Sequence, residues 1–263
     1  MLKNKKKVVC AIQLEIRPER PEQNLNRVLK KVRKAAEKGA DLIVLPEMWY
    51  SGYDYKNLEQ TSDRTNLIIK EFEKISNSYN TTIISSMVER DGKYFFNTAF
   101  TVEPHKGVIG KYRKIHLFPL LREDKYFKRG NSSDVLITSS GKIGTILCFD
   151  IRFPELTRSL ALNGAEIIVI PAQWPRVRVS HWRTLLQARA IENQLFVIGA
   201  ACCGGDRKLV LSGNSMIVDP NGKVLKEAGE GEEVIKTEID LNEIDKARAK
   251  IPCFQCRAPK AYV

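Results

Sequence analysis

The sequence has no apolar run long enough to cross a bilayer, and its first stretch does not make a secretory leader. Lysines are followed by Val8-Val9-Cys10-Ala11-Ile12, which is shorter than the hydrophobic segment of a signal peptide, and Gln13 ends it. The chain therefore reads as a soluble, cytoplasmic protein with no membrane partner. Cysteine is sparse: Cys10, Cys148, Cys202, Cys203, Cys253 and Cys256 show no disulfide framework, and in a chain of this size they are expected to be reduced. Structural zinc is disfavoured too. Cys253 and Cys256 form a CxxC pair, but the adjacent Cys202 and Cys203 are poorly placed to complete a tetrahedral site and no histidine lies near either pair. No metal or cofactor is expected. The chain also lacks a composition break, an internal repeat or a linker, so one domain over residues 1–263 is expected.

Acidic residues are the minority: 31 Asp and Glu stand against 43 Lys and Arg, a formal net charge of +12. The excess gathers at Lys3, Lys5, Lys6 and Lys7 and between Arg27 and Lys38. This favours acidic small molecules. Basic runs are usually solvated faces, so no specific nucleic-acid partner is expected. With 43% hydrophobic residues the chain can bury a large core.

Periodicity predicts strands over 8–14 and 41–47, joined by a helix over 21–38 whose Leu25, Val28, Leu29, Val32, Ala35 and Ala36 share one face. A second helix is expected over 64–79. A hairpin follows over 81–89 and 94–103, with Asp91-Gly92 as its type I′ turn. Further strands are expected over 108–114, 134–140 and 142–149, with a long loop over 120–133. The pattern then repeats: helix 154–163, strand 165–172, a helix capped by Ser180 through 193, and strand 195–202. Strands 214–219, 224–225 and 233–240 and a helix over 241–250 complete the chain. Long apolar strands suggest burial on both faces. The economical arrangement is an α/β fold, a four-layer α-β-β-α sandwich with two mixed sheets packed face to face and helices outside.

Three polar residues end apolar runs: Glu47 after Leu45-Pro46, Lys114 after Tyr112-Arg113, and Cys148 after Ile146-Leu147. Strand ends on one edge of a sheet share a crevice. The set is chemically coherent, since a thiolate can attack a carbonyl, a carboxylate can take the thiol proton, and a lysine can stabilise an oxyanion. Each also has an ordinary reading. Glu47 could cap a turn, Lys114 could be one more surface lysine, and Cys148 a core thiol.

Leu45-Pro46-Glu47-Met48, the run from Gly110 to Phe118, and Cys148-Phe149-Asp150-Ile151-Arg152-Phe153-Pro154-Glu155 resemble, in order, the three signature segments of the nitrilase superfamily of carbon–nitrogen hydrolases. The resemblance extends through Ala188 to Asn193 and Gly213 to Pro220. It implies a homodimer and a catalytic triad in which Glu47 is the general base, Lys114 supports the oxyanion and Cys148 forms a thioacyl intermediate, with the Phe149 backbone N–H as a second oxyanion donor. An additional active-site acid is implied at Glu123, with Asp124 as its competitor.

Within the superfamily, the segments 149–154, 171–175 and 181–189 are most similar to the ω-amidases, which hydrolyse the terminal amide of 2-oxoglutaramate and 2-oxosuccinamate. Such substrates carry a carboxylate. Arg152 is the expected cation, with Arg176 and Arg178 as further candidates, and Tyr53, Phe118 and Trp174 as apolar walls. An N-carbamoyl-amine hydrolase or another amidase of the superfamily is the alternative, and a non-catalytic polyanion binder a more distant one. The tail departs from the family's pattern, with two cysteines and one arginine in Pro252 to Pro259.

Overall fold

The computed structural model describes residues 5–205 and 209–262, so Lys3 lies outside the described residues. The first half contains β1 (Lys6–Glu15), α1 (Pro21–Glu37), β2 (Leu42–Val44), α2 (Leu58–Tyr79), β3 (Thr82–Asp91), β4 (Tyr94–Glu103) and β5 (Gly107–Arg113). After the short α3 (Glu123–Tyr126) come β6 (Val135–Thr138), β7 (Gly141–Thr145), α4 (Pro154–Leu162), β8 (Ile167–Ala172), α5 (Val179–Asn193) and β9 (Phe196–Gly205). The chain continues through β10 (Val210–Ser212), β11 (Met216–Val218), β12 (Val224–Glu227), β13 (Glu233–Asp240) and α6 (Asn242–Lys250).

The strands form a mixed sheet in the order β5-β4-β3-β2-β1-β9-β8-β7-β6, with β13 on β1, β10 and β11 on β9, and β12 on β11. Parallel neighbours need crossovers, and the amphipathic helices supply them. Thus α1 and α2 link the parallel β1, β2 and β3, while α4 and α5 link the parallel β7, β8 and β9. The halves were expected as two sheets, but they are joined edge to edge where Leu14 and Glu15 of β1 pair with Cys202 and Cys203 of β9.

Side chains alternate across each strand, so each half offers two apolar faces. Cys10, Ile12, Ile43 and Ile83 pack with Val28, Val32 and Phe72 of α1 and α2. Ile168, Ile170 and Val197 pack with Leu160 of α4 and Trp182 and Leu186 of α5. Val9, Ala11, Val44 and Ile84 of one half meet Ile143, Val169, Phe196 and Ile198 of the other in a third cluster. No helix among the described residues is long and apolar enough to cross a membrane.

Several boundaries differ from the periodic reading. Helix α2 starts at Leu58 rather than near residue 64, because its first two turns bury Thr61, Ser62 and Thr65, polar residues that leave no apolar stripe. In the β3–β4 hairpin Asp91 pairs with Tyr94, so the loop is Gly92-Lys93 and not Asp91-Gly92. Gly92, at φ 57°, takes the first loop position, where type II′ turns favour glycine. Ser180 does not cap α5: the helix begins one residue earlier and its N-cap is Arg178, with no capping side chain. The expected loop over 120–133 holds α3, and β7 stops at Thr145, three residues short of Cys148.

Candidate active site

Beyond β7, Ile146 still donates to the Val169 carbonyl at 3.1 Å, and then the chain leaves the sheet. Residues Cys148–Arg152 form a 3-10 turn, and Cys148 sits in the left-handed region at φ 44°. A non-glycine residue there is strained by about 1–3 kcal/mol and persists only when its surroundings fix it. Asp150 does the fixing. Fully buried, its carboxylate accepts from the Tyr112 hydroxyl at 2.7 Å, Leu147 N–H at 2.9 Å, His116 N–H at 2.9 Å and His116 Nδ1 at 2.8 Å. Three of these bonds, from Tyr112 and His116, tie the segment carrying Lys114 to the turn carrying Cys148, and the fourth closes the turn on itself. From the opposite side Arg189 of α5 donates to the Ile151 carbonyl through Nε at 2.9 Å and Nη2 at 2.6 Å.

Glu47 follows β2 and is fully buried. Its Oε1 accepts from Lys114 Nζ and Asn97 Nδ2, both at 2.8 Å, and its Oε2 accepts from Gln173 N–H at 3.0 Å. Gln173 Nε2 returns a bond to the Glu47 carbonyl at 3.0 Å. Lys114, just past β5, also donates to Glu123 Oε1 at 2.8 Å, and Glu123 Oε2 accepts from Phe118 N–H at 2.6 Å. The structure therefore brings Glu123 into the site, whereas Asp124 is exposed and lies 3.8 Å from Lys125. Burial opposes the charge on Lys114, but Glu123 and Glu47 outweigh it and hold the ammonium well above its usual range.

Cys148 is buried, and its Sγ donates to the Gln173 carbonyl at 3.5 Å. Burial first, and the Glu47 carboxylate second, push its thiol well above the usual range, with Lys114 acting against them. A thiol in these surroundings resists ionisation, so it would need a base to take its proton before acting as a nucleophile. Gln173 thus links the Cys148 thiol and the Glu47 carboxylate, contacting one through its carbonyl and the other through its N–H.

Cys148 opens onto a narrow cleft lined by Phe118, Phe149, Arg152, Gln173, Trp174, Pro175 and Arg178. Phe118 and Trp174, both expected as apolar walls, are among these residues. Tyr53 is not among these lining residues; it borders a second cavity that shares Gln173. Burial, with Glu123 and Glu47 nearby, pushes the Tyr53 phenol well above its usual range. Arg152 lies over the Trp174 ring at 4.8 Å, with Nη2 3.4 Å from His181 Nδ1. Arg176 is exposed and paired with Glu230, away from the cleft. No group of three or more His, Cys, Asp or Glu side chains among the described residues is placed to hold a metal ion.

Asn97, Asp150 and Gln173 carry this geometry, and sequence reasoning does not single them out. Asp150 and Gln173 lie inside the segments of resemblance without an assigned role. Asn97 is a polar residue inside a buried strand, and its only sequence signal is that misfit.

The family model for carbon–nitrogen hydrolases matches residues 8–249. The chain is 35% identical over 248 residues to the 2-oxoglutaramate amidase of Bacillus subtilis, covering 94% of this chain and 95% of that one. It is 32% identical to the mouse omega-amidase NIT2, with 91% of each chain covered. Among solved structures, Saccharomyces cerevisiae Nit3, a member of branch 10 of the nitrilase superfamily, superposes with a TM-score of 0.85 at 30% identity over 94% of each chain. The chain belongs to the carbon–nitrogen hydrolase family of the nitrilase superfamily and is an amidase acting on carbon–nitrogen bonds other than peptide bonds.

Proposed function

We propose that the protein hydrolyses the terminal amide of a small 2-oxo dicarboxylic acid, such as 2-oxoglutaramate or 2-oxosuccinamate, releasing ammonia through a thioacyl enzyme. The observation that carries this reading is the buried Glu47–Lys114–Glu123 bridge beside a strained cysteine. Burying three charges is costly, and apolar side chains of similar size would stabilise the fold as well or better, so a chemical role is the better account of it.

In this mechanism Cys148 Sγ attacks the amide carbon while Glu47 takes the thiol proton. Lys114 Nζ and the Phe149 N–H receive the developing oxyanion. Loss of one such donor typically costs about 3–4 kcal/mol of transition-state stabilisation. The tetrahedral intermediate collapses, the C–N bond breaks, and Glu47 delivers its proton to the leaving ammonia. Water then attacks the thioester with Glu47 as base, and the acid leaves as the thiol is restored. Glu123 holds Lys114 from the far side and assists the water step. Arg152 receives the substrate carboxylate, Phe118 and Trp174 flank the carbon chain, and Tyr53 backs the site from the Glu123 side.

The four-layer α-β-β-α arrangement is part of the same reading, supported by three separate apolar clusters, two under helices and one between the sheet halves. So are a homodimer and a cytoplasmic location. The test is ammonia release from a panel of ω-amides, carbamoyl amines and nitriles by the parent and by Cys148→Ala. The expected result is turnover of the 2-oxo ω-amides by the parent and at least a ~10³-fold loss in the variant. Turnover of carbamoyl amines alone would favour an N-carbamoyl-amine hydrolase.

A further inference from the structure

Two arginines line the cleft over Cys148, and the reading above uses only Arg152. The other, Arg178, stands on fixed backbone. Its N–H donates to the Pro175 carbonyl at 2.9 Å, and its own carbonyl accepts from Trp174 Nε1 at 2.7 Å. Its neighbour Arg176 is turned toward Glu230 instead. Among the described residues neither Arg152 nor Arg178 is paired with a carboxylate. The two are close enough to oppose each other's charge: burial and then Arg178 lower the Arg152 pKa.

Like charges beside a partly buried cleft are unfavourable until an anion is seated between them. The site's own acids cannot take that place. Glu47 and Glu123 are fully buried and committed to Lys114, and no carboxylate lines the cleft. Arginine offers only donors. The cleft is therefore matched to a head group that presents acceptors alone.

We infer that Arg178 is a specificity-determining residue: with Arg152 it forms a two-arginine clamp for a 2-oxo carboxylate and excludes the corresponding 2-amino acid. This deepens the reading given under Proposed function and rests on it. A 2-oxo acid offers three oxygen acceptors, two on the carboxylate and one on the ketone. In glutamine or asparagine the ketone is replaced by an ammonium, which brings donors and a positive charge against two guanidiniums with no acid to receive it. A site built to bond one polar group discriminates strongly against an analogue that leaves its groups unpaired, by up to about 10⁴-fold or more.

The test compares kcat and KM for 2-oxoglutaramate, glutaramate and glutamine in the parent, Arg178→Gln, Arg178→Lys and Arg176→Gln. The parent should prefer 2-oxoglutaramate to glutamine by at least ~10² in kcat/KM. Arg178→Gln should raise KM for 2-oxoglutaramate by about 10–100-fold, the loss of charge-assisted hydrogen bonds, with kcat within a few-fold. It should also narrow the preference over glutamine. Arg178→Lys should recover part of the KM, and Arg176→Gln should match the parent. Inhibition by 2-oxoglutarate should weaken in parallel, a readout that a general packing defect would not confine to the 2-oxo ligand. An unchanged 2-oxo to 2-amino ratio in Arg178→Gln, or equal losses on all three amides, would overturn the clamp while leaving the ω-amidase reading intact. Failure of the parent to hydrolyse any ω-amide would instead refute that reading, and the clamp with it.

Discussion

Asp150 holds the Cys148 turn and the Lys114 segment together without itself lining the cleft. Four donors from Tyr112, His116 and Leu147 converge on its carboxylate. Asp150→Asn keeps the shape but replaces one acceptor oxygen by an N–H donor. Turnover is expected to slow by roughly tenfold or more while KM changes much less, because the nucleophile and the ammonium drift apart and the cleft remains. Steady-state kinetics on an ω-amide checks this, and a rise in KM with kcat intact would contradict it. Glu47, Lys114 and Cys148 stood out as candidates because each ends an apolar run and the three types complement one another, and the resemblance to the family then joined them. The supporting residues did not stand out, because a buried hydrogen bond leaves no periodic trace. Asn97 and Gln173 read as ordinary polar residues until the fold brings them to Glu47.

At the scale of elements, β5 delivers Lys114 and is anchored through Glu89 of β3. Glu89 accepts from Arg113 Nε and Nη2, each at 2.9 Å, from Lys111 at 3.0 Å, and from Thr98 of β4 at 2.8 Å. Burial would raise its pKa, but these donors, Arg113 foremost, depress it to about 2 from an ordinary 4.5. A depressed carboxylate contributes stability that is complete above its unfolded pKa and is lost as pH falls toward the folded one. Urea midpoints should therefore drop between about pH 4.5 and pH 2, and Glu89→Gln should be less stable at neutral pH with a shallower acid dependence. An equal acid slope in both proteins would remove Glu89 from this role. Helix α1 was legible nearly to its ends because its apolar positions recur at helical spacing. The start of α2 was not, because threonine and serine do its burying. Strand β10, three residues beside β9, is too short for alternation to reveal.

For the whole molecule, two strand-helix-strand units separated by hairpins were readable, whereas the edge-to-edge join of β1 and β9, like the strand order within the sheet, was not. The join rests on two residue pairs whose partners lie far apart in sequence. The helices that cover the Cys148 half leave apolar side chains outside: Ile191 of α5 is 53% exposed and Leu162 of α4 42%. A second copy covering this face is consistent with the proposed homodimer. Light scattering should give twice the chain mass, and Ile191→Glu should shift it toward the monomer. A monomeric parent would contradict the dimer and leave the chemistry untouched.

The central claim is covalent: Cys148 carries the acyl group while ammonia departs. Mass spectrometry of the protein quenched during turnover of 2-oxosuccinamate tests it directly. The predicted result is a mass increase equal to the acyl group on the peptide containing Cys148, increased in Glu47→Gln if the hydrolysis step slows most, and absent in Cys148→Ala, which should also release no ammonia. Ammonia release by Cys148→Ala at the parent rate, with no acyl group on Cys148 in the parent, would contradict the account.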